Sequence, residues 1–231
     1  MNMLECHGLT KCYGKVTALD NLDLTLESGR IVGLLGPNGS GKTTLIKLAT
    51  RLIQPTKGSI MIAGQLPGHA TKAITSYLPD REYLPNDLRV KSLLGLYRDF
   101  YRDFNEKKAL DMLESLDISE RMELKKMSKG TKEKVRLILT MSRDAKIYLL
   151  DEPIAGVDPA ARDYILRTII QNYSEDALVI ISTHLIADVE AVLDEAVFIR
   201  QGKLILHQTV DEIRQETGKS VDEHFREVFR C

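Results

Sequence analysis

The segment Gly36-Pro37-Asn38-Gly39-Ser40-Gly41-Lys42-Thr43 has the spacing of a phosphate-binding loop. A short unbroken apolar run over residues 31–35 precedes it and a helical pattern over residues 43–52 follows, which is the setting such a loop requires. Glycines there let backbone N–H groups turn inward around phosphate oxygens, and the helix behind adds unpaired donors and the positive end of its dipole. Lys42 supplies a point charge for β- and γ-phosphates, and the Thr43 hydroxyl suits Mg²⁺. A second set of oxygen donors closes the apolar strand Ile147-Tyr148-Leu149-Leu150, where Asp151 and Glu152 follow one another. Two adjacent acids at the end of a buried strand are costly unless a cation or donors compensate them. Asp151 is expected to hold Mg²⁺ through its water shell, and Glu152 to polarise an attacking water as general base. Ser182-Thr183-His184 ends a third such strand. His184 therefore emerges at the same sheet edge, where a donor to the γ-phosphate would tell triphosphate from diphosphate.

Elements must bring these distant segments together. Residues 147–150 and 178–181 are further buried-strand runs, and strands alternating with helices predict an α/β fold with a largely parallel sheet. Leu22, Leu24 and Leu26 alternate with polar residues, and residues 59–63 follow the turn Pro55-Thr56-Lys57-Gly58, which predicts a small antiparallel β-layer. From about Pro79 to Asp144 the pattern turns helical, with helices expected over residues 90–104, 106–116 and 131–142, the last carrying Val135, Ile138, Leu139 and Ser142 on one face. One domain is expected over residues 1–231: an α/β core of residues 1–79 and 144–206, an inserted helical subdomain of 80–143, and a helical tail of 207–231. The tail's face of Val221, Phe225, Val228 and Phe229 is expected to pack back on its own domain. Tyr97, Phe100, Tyr101 and Phe104 form an aromatic stripe expected in the core of the insertion, with exposure in a groove as the alternative.

Composition sets further bounds. With 32 Lys plus Arg against 33 Asp plus Glu, the net charge of −1 gives no global basic field, so sequence-independent nucleic-acid binding is not expected as the main task, a local basic patch being the alternative. No apolar stretch approaches the ~18 residues of a membrane span. The opening MNMLECHGLT lacks a charged segment followed by an apolar one, so no secretory signal is expected. Cys6, Cys12 and Cys231 have no metal-type spacing, and their odd number predicts free thiols in a reducing cytosol.

The phosphate loop, Ser128-Lys129-Gly130-Thr131-Lys132, Leu149-Leu150-Asp151-Glu152-Pro153, Ala155-Gly156-Val157-Asp158-Pro159 and His184 occur in an order that resembles the ABC-type ATPases over essentially the whole chain. Among these, the chain looks like the ATP-binding subunit of a bacterial ABC-2-type exporter, similar to the bacitracin-resistance group. The resemblance implies a P-loop NTPase fold, with a RecA-like parallel core, an N-terminal antiparallel β-layer and an inserted α-helical subdomain. It implies ATP and Mg²⁺ as cofactors, bound by Gly36, Pro37, Asn38, Gly39, Ser40, Gly41, Lys42, Thr43 and Thr44. Thr43, Asp80 and Asp151 would stand at the metal, and Lys42, Glu152 and His184 would serve catalysis. Tyr13 matches the residue that stacks on adenine, a packing role in the β-layer being the alternative. Ser128 and Gly130 would bind the γ-phosphate held by the opposite subunit. Lys129 and Thr131 depart from the usual Leu-Ser-Gly-Gly-Gln pattern, and the sequence leaves open whether Lys129 attracts that phosphate or is merely solvated.

Asp158 matches a loop that crosses the dimer interface. The implied partners are a transmembrane permease on a separate chain and a second ATPase subunit, in a homo- or heterodimer, with no nucleic acid. The implied location is cytoplasmic, peripheral at the inner face of the membrane. In such proteins the groove beside Asp80 grips a cytoplasmic helix of the permease. The rival from another class is a soluble ABC-type ATPase of translation or DNA repair, but neither tandem ATPase units nor a long coiled coil is present. A GTPase or small-molecule kinase sharing only the loop would leave the Ser128 segment unexplained.

Asp80, in Tyr77-Leu78-Pro79-Asp80, stands where most members of the family carry glutamine. A carboxylate keeps a hard oxygen for the metal but adds negative charge beside the phosphates. Asp80→Gln is accordingly expected to tighten ATP binding several-fold and to relax its Mg²⁺ dependence. Titration of ATP affinity against Mg²⁺ checks this, and superimposable curves would refute the assignment.

Overall fold

The computed structural model describes residues 1–229, apart from the side chains of Ala160 and Ala161. The chain opens with β1 (Asn2–Tyr13), β2 (Val16–Glu27), β3 (Arg30–Leu35) and α1 (Lys42–Ala49). Next come β4 (Lys57–Ile62), α2 (His69–Ala73), β5 (Thr75–Leu78), α3 (Val90–Phe100), α4 (Glu106–Glu114) and α5 (Lys129–Met141). The remainder runs β6 (Ile147–Asp151), α6 (Pro159–Asn172), β7 (Leu178–Thr183), α7 (Ile186–Val189), β8 (Glu195–Arg200), β9 (Lys203–Thr209), α8 (Val210–Thr217) and α9 (Val221–Val228).

Two sheets result. One is antiparallel, in the order β2-β1-β4; the other runs β5-β6-β7-β3-β8-β9, parallel throughout except for β9 at its edge. The apolar runs of the parallel strands sort by parity. Leu35, Leu150, Val179, Ile181 and Phe198 join one core with α6, α8 and α9, whereas Val32, Leu34, Leu149, Ile180 and Val197 join another with the β-layer and α1. Both faces are covered, so these strands lose the alternation that β2 retains, where Leu22, Leu24 and Leu26 are buried between exposed neighbours. A third core holds the insertion together. Helix α5 spans two of them, with Val135, Ile138 and Leu139 in the insertion core and Leu137 and Met141 in the main one.

Three expected boundaries are corrected. The helix expected over residues 90–104 stops at Phe100, because Tyr101 is extended and Asp103 pairs with buried Arg143 at 2.9 Å. Asn105 then caps α4 by accepting from the Lys108 N–H. The helix behind the phosphate loop ends at Ala49, and Arg51 turns the chain with φ +53°. Residues 207–209, assigned to a helical tail, finish β9 and pair with β8; helix begins only at Val210. The tail face does fold back on its own domain. Val221 is buried, and Phe225 meets Phe198 edge-on at 5.2 Å. Cys6 and Cys12 are free thiols, with Cys6 pushed up to about 12 chiefly by burial, while Cys231 lies outside the described residues. Among the described residues no helix is long and apolar enough to cross a membrane.

The turn between β8 and β9 fastens the phosphate loop to the β-layer. Gly202 N–H donates to the Ser40 carbonyl at 2.8 Å, and the Gly202 carbonyl accepts from Asp20 N–H at 2.9 Å. Gly41 (φ +115°) and Gly202 (φ +78°) approach the same backbone atom: a Cβ would lie 2.6 Å and 2.7 Å, respectively, from the Ala18 carbonyl oxygen. Gly202→Ala combines this collision with a left-handed backbone, and is expected to cost about 1–3 kcal/mol of stability and to weaken ATP binding. Thermal unfolding and nucleotide titration measure both; unaltered values would mean that the turn is not what seats the loop.

Candidate functional site

Three parallel strands end level with one another. Leu35 at the end of β3 pairs with Thr183 of β7, and Asp151 at the end of β6 pairs with Ser182 of β7. This register brings the loop of residues 36–41, the acid pair and His184 to one edge of the sheet, the usual position for ligands in open α/β sheets.

Asp151 is 1% exposed. Its Oδ1 accepts from Ser182 Oγ at 2.6 Å and from Thr43 Oγ1 at 3.0 Å, while its Oδ2 is buried with no hydrogen-bond partner. Burial raises the carboxyl's pKa, the two hydroxyls oppose the rise, and the charges of Asp80 and Glu152 add to it. Spacing along the chain does not mark Ser182 as a site residue: its hydroxyl stands opposite the acid only through the register of β6 on β7.

Lys42 is buried in the mouth of the loop, where its ammonium donates to the carbonyl oxygens of Gly36 at 2.7 Å and Pro37 at 3.3 Å. Burial lowers its pKa, and Glu152 and Asp151 act against that shift. Glu152 Oε1 lies 3.7 Å from this ammonium, and its carboxylate is 3.0 and 3.1 Å from His184 Nδ1. Glu152 adopts φ +52°, a left-handed backbone held by its N–H donating to the Ser182 carbonyl at 3.0 Å. Such a conformation costs a non-glycine residue on the order of 1–3 kcal/mol. It directs the side chain across the cleft toward Lys42 and His184.

Asp80 is exposed on the loop after β5, and with Thr43 and Asp151 it lines a cavity of about 880 Å³. Pro37, Asn38 and Gly39 form the exposed rim of the phosphate loop, while Gly36, Ser40 and Gly41 are buried beneath it. Thr44 is half-buried in the first turn of α1. The remaining expected residues stand apart. Tyr13 is 47% exposed at the end of β1, with the Lys11 ammonium 5.2 Å from its ring centre. Ser128 caps its own helix, its hydroxyl accepting from Thr131 N–H at 3.1 Å, and nothing lies within 4 Å of a Cβ built on Gly130. Lys129 lies between these two, and its side chain joins Asp80, Asp151 and Glu152 around a small cleft.

A glycine-rich loop with a buried ammonium, a threonine hydroxyl on a buried aspartate, and a second acid beside a histidine define a P-loop nucleoside triphosphatase. The ABC transporter family model matches residues 19–155. The lipopolysaccharide export system ATP-binding protein LptB of Escherichia coli K12 is 32% identical over 99% of this chain and 97% of its own. The SkfA peptide export ATP-binding protein SkfE of Bacillus subtilis is 29% identical over 94% of this chain and 93% of its own. A solved ATP-binding subunit of an ABC transporter superimposes with a TM-score of 0.88 at 27% identity, covering 99% of this chain and all of that one. The chain belongs to the ABC transporter family, as an ATP-binding and ATP-hydrolysing subunit.

An acid whose pKa rises on folding favours the fold at low pH, and that contribution is lost as pH climbs through the raised value. Asp151→Asn is therefore expected to raise the nucleotide-free Tm by a few degrees at pH 7. The gain should shrink as pH falls, and the extra stability that ATP confers should diminish. Thermal scans across pH, with and without ATP, read both effects; a variant less stable than its parent at neutral pH would contradict the assigned burial cost.

Proposed function

We propose that this chain is the motor subunit of a bacterial exporter, acting at the cytoplasmic face of the membrane through a separate permease. Two copies, or one copy and a paralogue, close head to tail over two Mg²⁺·ATP. The observation that carries this reading is the separation of two anion-binding surfaces. Ser128 is exposed and Gly130 half-buried at the N-terminus of α5, and neither touches the cluster of Lys42, Thr43, Asp151, Glu152 and His184. Each site then takes the phosphate loop and acids from one chain and Ser128 and Gly130 from the other, while Lys129 between them borders the acids of its own chain. Both surfaces carry helix N-termini and cations, so nucleotide phosphates are needed to bridge them. Loss of the γ-phosphate removes that bridge and shifts the population to the open form.

The donor set suits Mg²⁺. Asp151 has a buried, unpartnered oxygen, the Thr43 hydroxyl lies against its other oxygen, and Asp80 lines the same cavity. Among the described residues no three His, Cys, Asp or Glu close a metal cage, which accords with an ion that takes its other ligands from phosphate and water. When bound, the ion neutralises phosphate charge. Lys42 exchanges the carbonyls of Gly36 and Pro37 for phosphate oxygens. Glu152 accepts the proton of the attacking water at its carboxylate, oriented by His184 through Nδ1, which leaves Nε2 for the γ-phosphate. Tyr13 stacks on the adenine.

Export is supported by the two relatives, which serve lipopolysaccharide export and SkfA peptide export. The cavity beside Asp80 continues to Tyr83, Tyr97, Phe100 and Tyr101, and Phe100 is 78% exposed. That groove is taken as the seat of a cytoplasmic helix of the permease, adjoining the loop that carries Asp80. Tyr97 and Phe104 pack against the insertion core, so the stripe divides between packing and groove.

Glu152→Gln is expected to bind ATP, to slow turnover on the order of a hundredfold or more, and to elute as a dimer in size-exclusion chromatography with ATP. A monomeric variant that hydrolyses ATP normally would contradict the assignment. Copurification of the full chain with a polytopic membrane protein tests the permease.

A further inference from the structure

Arg136 lies two turns along α5 from Ser128 and is 2% exposed. A buried guanidinium is tolerated only if its charge and its donors are met. Glu133, one turn earlier on the same helix, meets the charge through both carboxylate oxygens, at 2.7 and 2.8 Å from Nη1. Nη2 leaves the helix altogether. It donates to the carbonyl oxygens of Pro79 and Arg81, the latter at 2.9 Å. These two residues flank Asp80. Asp80 itself makes no hydrogen bond or ion pair among the described residues, so its place is set by the backbone on either side, which Arg136 grips. The guanidinium also faces the Tyr83 ring at 5.2 Å, and the Tyr83 hydroxyl reaches that of Tyr97 at 2.8 Å, inside the aromatic groove. Its Nε is buried without a partner, so the fork is oriented toward the loop at the expense of one donor.

We infer that Arg136 is a positioning residue for hydrolysis, clamping the loop that carries Asp80 to the helix that carries Ser128 and Gly130. The planar fork suits this task because one group reaches a carboxylate and two carbonyls at once, which an ammonium cannot reproduce with the same geometry. The consequence is mechanical. The carboxylate that faces the metal in one chain and the helix tip that faces the partner's γ-phosphate move as one body, and the groove of Tyr83 and Tyr97 is attached to both. The catalytic part of this inference rests on the role proposed above for Asp80.

Hydrogen exchange on the full-length protein tests the clamp, and a double-mutant cycle tests its purpose. In Arg136→Met, amides of residues 80–84 are expected to exchange about tenfold faster while those of residues 135–141 keep their protection. The kcat is expected to fall roughly tenfold with KM for ATP within about twofold, because the phosphate loop is untouched. In an Asp80→Asn background the same substitution should cost less than about twofold, since the group it positions is already neutralised. Arg136→Lys should recover part of both effects, and it replaces the methionine variant in the cycle if that variant does not fold. The inference is overturned if both segments lose protection together, if kcat is unchanged, or if the factor in kcat is equal in the two backgrounds. Failure of the site reading is distinguishable, because it shows as normal turnover in Glu152→Gln and leaves the exchange result standing.

Discussion

A carboxylate buried with one oxygen unpaired is the constraint on which the rest of this structure turns. Asp151 sits at the end of a strand covered on both faces, and two hydroxyls satisfy only its Oδ1. Lys42 is the reciprocal case, a buried ammonium held by the carbonyls of its own loop and by Glu152. Each group is costly alone, and the unpartnered Oδ2 of Asp151 and the ammonium of Lys42 suit a hard cation and phosphate, respectively. Glu152 adds backbone strain at the same point. Stability is given up where the ligand returns it.

The parallel sheet makes that concentration of cost possible. Strands running the same way end at the same edge, and the pairings Leu35 with Thr183 and Asp151 with Ser182 bring Thr43 and Asp151, 108 residues apart in the chain, into hydrogen-bond range. The covers on the two faces differ: helices on one, the β-layer with α1 on the other. The Gly202 turn ties the second cover to the phosphate loop, so the loop is supported from a region distant in sequence.

Helix α5 links this edge to the insertion. Its apolar residues divide between two cores, its tip presents Ser128 and Gly130, and its buried arginine holds the backbone around Asp80. A helix shared by two cores moves as a solid element, which is what the proposed head-to-tail site would require. The aromatic groove opens beside the same loop, so the groove, the helix and Asp80 meet at one short stretch of backbone.

Much of the site was legible in the sequence because phosphate chemistry uses consecutive residues. A loop of backbone donors, its lysine and its threonine must be neighbours in the chain, and so must Asp151 and Glu152. Fold class was legible for a related reason: double-sided burial writes unbroken apolar runs, and single-sided burial writes alternation. Helix ends at Phe100 and Ala49 were not, since they follow from the Asp103–Arg143 pair and from a left-handed residue at Arg51. The strand at residues 207–209 was missed because an edge strand pairs on one side only and carries little apolar signal.

Spacing alone determined which ligand chemistry this chain is built for, because that chemistry is local. Tertiary structure alone decided which hydroxyl answers Asp151, that Glu152 bends back on Lys42 and His184, and that Arg136 meets the carbonyls on either side of Asp80. Those partners are set by strand register and helix packing, which join residues by distance in space and leave no mark at any fixed interval along the chain.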